Sequence, residues 1–235
     1  MIKISANTPI KKDVIPPLES GDRLTRDEFV RRYEANPHIK NAELIEGVVY
    51  VASPVRHTQH GSPHGRMMGW LSLYVSETPG TDLSDNSTLH LENDNELQPD
   101  AVLFKEHGGG VWLSDGYLEG VPELVIEVAA SSASYDMHDK RQLYARIGVS
   151  EYLVVLMYEH KVDWSVLRDG AYQPLAAEDG IIKSEVFPGL WLQADTLWSG
   201  NLKAMLDALR KGLASEEHAA FVAHLAETPQ SPETD

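Results

Sequence analysis

The chain has 235 residues, 42% hydrophobic and 24% charged, with a formal net charge of −16 and no cysteine. That length suits one domain or two, with enough apolar content for a core. The missing cysteine removes disulfides, thiolate metal sites and a cysteine nucleophile together, and the acidity opposes a broad phosphate-binding face. Five of the excess charges sit after Lys211, at Glu216, Glu217, Glu227, Glu233 and Asp235. The N-terminus, Met1-Ile2-Lys3-Ile4-Ser5, lacks the apolar core of a signal peptide, and the longest apolar run, Tyr152 to Tyr158, is far too short to span a bilayer. A cytoplasmic protein without a membrane partner is expected.

Residues 1–22 carry Pro9, Pro16 and Pro17 and read as an extended lead-in. Thr25-Arg26-Asp27-Glu28 is a capping box that starts a helix, with Leu24 and Phe29 spaced for a hydrophobic staple, and Asn36-Pro37 ends it. Glu43 to Val51 reads as two strands around a turn at Glu46-Gly47, closed by Ser53-Pro54. Ser62 and Pro63 then open a helix to about Val75, whose Met67, Met68, Leu71 and Val75 form an inward stripe. Thr88 to Glu92 alternates like a strand, and Asn93-Asp94-Asn95 is turn chemistry.

Pro99–Phe104 and Leu124–Val128 read as short buried strands. The stretch between them holds Gly108, Gly109, Gly110 and Gly116 and reads as a flexible loop, since no Lys-Ser/Thr pair or helix follows to make a phosphate cradle. A helix from about Asp136 to Ile147 stops at Gly148 and sets Lys140, Leu143, Tyr144 and Ile147 on one face. Glu151 to Tyr158 is a strand, and Val162–Leu167 with Ala171–Leu175 reads as a hairpin around Arg168-Asp169-Gly170. Helices are expected near 200–211 and 215–226. The domain reading is a lead-in (1–22), one folded domain (23–200), C-terminal helices (201–227) and a disordered tail (228–235), of mixed α/β (α+β) class with a central mixed sheet flanked by helices.

Asp100 and Glu127 lie inside otherwise apolar strands, and Lys140 lies on the inward face of a helix. Charged side chains are seldom buried unless paired or bound to a metal. Two arrangements satisfy these three. Two facing carboxylates with water and a substrate phosphate suit Mg²⁺ or Mn²⁺, with the ammonium positioning the attacking water. Alternatively, the acids pair with Lys140 or an arginine and only shape the fold. His57, His60 and His64 have H-x2-H-x3-H spacing, which would suit zinc, but Gly61 and Pro63 interrupt any helix that would align them. Ser131, Ser132 and Ser134 lack a nucleophile elbow.

Gln98-Pro99-Asp100, Pro122 to Val128, Asp139-Lys140-Arg141 with Tyr144, and Gly148 to Tyr152 together resemble the Uma-two family of restriction-type endonucleases, part of the PD-(D/E)XK superfamily. The likeness extends upstream to Glu43-Leu44-Ile45-Glu46-Gly47 and covers roughly residues 25–195. It implies a restriction-endonuclease-like core and Mg²⁺-dependent phosphodiester hydrolysis, with DNA as substrate. Asp100 and Glu127 would be metal ligands, the carbonyl of Val128 a third, Lys140 the catalytic lysine and Glu43 an assisting acid. The commoner superfamily lysine lies two residues after the glutamate, where this chain has Ala129; the family moves it to the following helix. Ala129-Ala130-Ser131-Ser132 departs from the usual sequence after the glutamate. The competing function is a non-catalytic nuclease fold acting through protein partners, which the acidic surface favours. A homodimer through an edge strand or the region of Trp164, Trp191 and Trp198 is a further expectation.

Overall fold

The computed structural model describes residues 15–52, 56–91, 95–130 and 132–228. Most of the lead-in, Ser53-Pro54, Asn93-Asp94, Ser131 and the last seven residues lie outside them.

Helix α1 (Arg26–Ala35) begins where the capping box places it: Thr25 accepts a hydrogen bond from the Glu28 amide at 3.4 Å. Strands β1 (Ala42–Ile45) and β2 (Val48–Val51) form the expected hairpin, with Glu46 and Gly47 at φ 50° and 75°. Two successive left-handed residues give the turn whose twist matches the strands. The next helix starts differently from expectation. A five-residue π-turn, His57–Gly61, runs directly into α2 (Ser62–Ser76), and Ser62 is its first residue, not its cap.

Four strands follow: β3 (Thr81–Asp85), β4 (Leu89–His90), β5 (Glu96–Leu97) and β6 (Ala101–Lys105). The glycine-bearing stretch expected as a loop contains a hairpin, β7 (Val111–Ser114) and β8 (Tyr117–Gly120), turning at Asp115 and Gly116, both with positive φ. Its exposed Trp112 and Leu113 gave no inward pattern to read. After β9 (Leu124–Ala129), the expected single helix is two, α3 (Ala133–Met137) and α4 (Asp139–Ile147), broken at His138 (φ −123°, ψ −77°).

Strands β10 (Glu151–Leu156), β11 (Lys161–Arg168) and β12 (Ala171–Pro174) form a meander, and β13 (Ala177–Glu178), β14 (Ile181–Lys183) and β15 (Trp191–Gln193) a small third sheet. Helices α5 (Asp195–Ser199), α6 (Leu202–Leu213) and α7 (Glu216–Glu227) complete the order. Among the described residues no helix is long and apolar enough to cross a membrane.

The central sheet has the order β12-β11-β10-β9-β6-β3, in which β3, β6 and β9 are antiparallel and β9 and β10 parallel. A parallel neighbour needs a long crossover, and α3–α4 supplies it. Alternation along β9 sends Leu124, Ile126 and Val128 to one core and Val125 and Ala129 to the other. The first core is filled by α2 (Met67, Trp70, Leu71, Tyr74) and α6 (Met205, Leu209), the second by Leu143 and Tyr144 of α4. Trp70 donates its indole N–H to the Trp191 carbonyl at 3.0 Å, tying α2 to β15. Trp164 is buried and donates to Glu151, so it belongs to the core and not to a surface open to a second subunit.

Candidate active site

Period-two alternation decides where the acids point. Glu127 shares the face of Val125 and Ala129, and Asp100 shares the face of Val102 and Phe104. Both therefore project toward α4. The β6–β9 register pairs Ala101 with Ile126; continued by one residue it sets Asp100 opposite Glu127. Such opposed side chains have Cβ atoms about 5 Å apart. From the hairpin, Glu43 shares the face of Ile45 and approaches the same point, with its Oε1 accepting the Gln98 amide at 2.8 Å.

Lys140 is buried at the centre. Its Nζ lies 2.8 Å from Glu127, 2.9 Å from Glu43 and 3.4 Å from Asp136. Asp136 was not among the expected site residues. Read as the first turn of one long helix it looks like a charge at a helix start; the break at His138 turns it inward instead. It lies four residues before Lys140, the only local signal. Tyr152 and Tyr144 wall this side; among the described residues the Tyr144 hydroxyl is buried without a hydrogen-bond partner, and the buried Asp136 carboxylate faces Ser132 and the Lys140 ammonium.

Asp100 is held apart from the ammonium. Its Oδ2 accepts the Val128 amide at 2.6 Å and its Oδ1 lies 2.9 Å from His60 Nε2. A strand residue presents its N–H and C=O to the same neighbour, so the Val128 carbonyl also faces the Asp100 side. Of the three histidines, His60 reaches the site. His64 Nε2 instead meets the Asp100 carbonyl at 3.0 Å and lies 3.1 Å from Asp85, so the spacing that suggested zinc does not gather the rings around one ion. The signal for His60 lies in the π-turn, which is invisible to helical periodicity.

The protonation balance follows from one ammonium facing several acids. Burial pushes Glu127 well above the usual carboxylate range, against the pull of Lys140, and raises Glu43 and Asp136 for the same reason. Burial would lower Lys140, but the carboxylates of Glu127, Glu43 and Asp136 outweigh it and hold the amine charged. The hydrogen bond to Asp100 raises His60.

Among the described residues no three His, Asp or Glu side chains close around a point that an ion would fill, because the Lys140 ammonium takes the space between Glu127, Glu43 and Asp136. The donor set nevertheless fits a hard divalent cation. Glu43, Asp100, Glu127 and Asp136 line one cavity of about 440 Å³ that holds a single buried ammonium, four acids to one buried cation. An excess of carboxylate oxygen with room for water is the chemistry that holds Mg²⁺ or Mn²⁺.

Comparison with known proteins identifies the family and the fold. The model of the Uma2 family, described as "Putative restriction endonuclease", matches residues 26–195. A solved structure, that of "a putative nuclease belonging to DUF820 from Anabaena variabilis ATCC 29413", is similar with a TM-score of 0.55 at 15% identity, covering 75% of this chain and 98% of that one. At that identity the likeness speaks for the fold. No curated protein matches. The family match takes in every residue lining the cavity and spans most of the sequence, so the chain belongs to the Uma2 family of nucleases with a restriction-endonuclease-like fold.

Proposed function

We propose that this chain is a Mg²⁺-dependent endonuclease that hydrolyses phosphodiester bonds in DNA. The observation that carries the reading is the buried excess of carboxylates over ammonium in one solvent-open cavity. Asp100 and Glu127 would hold the cation, with the Val128 carbonyl as a third ligand. When bound, Mg²⁺ or Mn²⁺ supplies Lewis acidity at the phosphoryl oxygen and lowers the pKa of water. Lys140, kept charged by its neighbours, orients the attacking water and offsets charge growing on the phosphate. Glu43 assists by holding the Lys140 ammonium at 2.9 Å, while His60 and the Val128 amide keep Asp100 in place.

The test is titration of Mn²⁺ into the wild type and Glu127→Gln, together with Mg²⁺-dependent nicking of plasmid DNA. Binding and nicking that are both lost in Glu127→Gln are expected. Nicking unchanged by Glu127→Gln or by Asp100→Ala would sink the proposal. One observation favours the second reading, a non-catalytic fold acting through a protein partner: Lys140 already pairs with three of the acids. That reading expects no Mn²⁺ binding to the wild type. A cytoplasmic location and a homodimer, the arrangement suited to cutting two strands, belong to the proposal; a monomer by light scattering removes the latter.

A further inference from the structure

The mouth of the cavity carries groups that the hydrolytic chemistry leaves unused. Tyr135, Tyr158 and Arg56 line the same cavity as Asp100, Glu127 and Lys140. Tyr158 is 66% exposed and Tyr135 43%, so neither ring is explained by core packing. Tyr50 meets Tyr135 edge-on with centroids 4.7 Å apart, and its hydroxyl donates to Asp139 at 2.9 Å, which braces the pair against β2 and α4. Arg56 is exposed and, among the described residues, forms no ion pair. The other cation of the cavity, Lys140, is engaged by three carboxylates.

We infer that this mouth is a nucleotide subsite that selects an unpaired strand over intact duplex, with the exposed tyrosine rings stacking on a base and Arg56 taking an adjacent phosphate. The inference deepens the nuclease reading and rests on it. Duplex DNA carries a charge every ~1.7 Å, and gripping it needs a stripe of basic residues. A chain of net charge −16 is poorly supplied for that. Stacking on an aromatic face needs no such stripe, but it is open only to a base that is not already stacked and paired. A single free guanidinium fits one phosphate in two-pronged fashion. The alternative use of such tyrosines, as a contact for a protein partner, predicts no discrimination between strand forms.

The experiment is fluorescence anisotropy of the full chain with a labelled single-stranded oligodeoxynucleotide and with the same sequence as duplex, in Ca²⁺ over a range of salt. Tighter binding of the single strand is expected. Tyr158→Ala, a change at an exposed position, should weaken it roughly 5- to 140-fold, the effect of losing one stacked base, and Tyr158→Trp should restore it. Arg56→Ala should flatten the salt dependence by about 0.7 in the log–log slope, one phosphate on a single strand. Duplex bound as tightly as the single strand, no binding by the wild type, or single-strand affinity unchanged in both Tyr158→Ala and Tyr135→Ala overturns the subsite. The two readings fail separately. Tyrosine-dependent strand binding without Mg²⁺-dependent cleavage overturns the nuclease and leaves the subsite. Duplex nicking that is untouched by Tyr158→Ala overturns the subsite and leaves the nuclease.

Discussion

Replacing Lys140 with methionine tests the electrostatics of the site directly, because it removes the charge and keeps most of the side-chain volume. At an effective dielectric of about 20, the 2.8 Å contact to Glu127 is worth about 6 kcal/mol and the 3.4 Å contact to Asp136 about 5. Desolvation of each buried ion offsets several kcal/mol of this, and removing one partner from a buried ionic cluster costs about 3–5 kcal/mol net. For a chain of this size the melting temperature should fall by roughly 6–20 °C. The loss has a predictable pH dependence. Burial already raises Glu43, Glu127 and Asp136, and without the ammonium they rise further. Acids whose folded pKa exceeds the unfolded value, near about 4, leave stability intact below that value and remove it as pH climbs through the folded range. The slope is about 1.4 kcal/mol per pH unit for each proton involved. Thermal melts of wild type and Lys140→Met in EDTA from pH 5 to 8 should therefore show a deficit that widens with pH, and added Mn²⁺ should narrow it by binding the freed carboxylates. A deficit of constant size across that range would refute the reasoning, as would a variant that melts with the wild type at pH 8.

Two further changes probe the frame that carries the site. Glu151 is buried and accepts four hydrogen bonds, from Trp164, Ser184 and the Glu185 and Val186 amides, so Glu151→Gln sets an NH₂ group against donors and should cost about 1–3 kcal/mol in urea denaturation; an unchanged midpoint would show the carboxylate to be dispensable. Gly212 lets α6 approach the turn before β15, and a Cβ there would lie 2.2 Å from the Gly189 carbonyl, so Gly212→Ala should destabilise by about 1–3 kcal/mol, with a melting curve matching the wild type as the contrary result.

Sequence alone determined the features that local physics dictates. Thr25 and Glu28 announce a helix start, Glu46-Gly47 a tight hairpin, and an acid within an apolar strand announces a burial that must be compensated. Strand alternation likewise assigns Asp100 and Glu127 to definite faces once their strands are adjacent. Tertiary structure decided what lies outside that range. The break at His138 that turns Asp136 inward and the π-turn that brings His60 to Asp100 serve partners distant in sequence, and the hairpin β7–β8, though locally paired, exposes Trp112, Leu113 and Tyr117, so none of the three carries a periodic apolar signal. The convergence of Glu43, Glu127 and Asp136 on one ammonium is of the same kind: Glu43 and Lys140 are separated by almost a hundred positions, and only the packing of α4 between two sheets fixes the 2.9 Å between them.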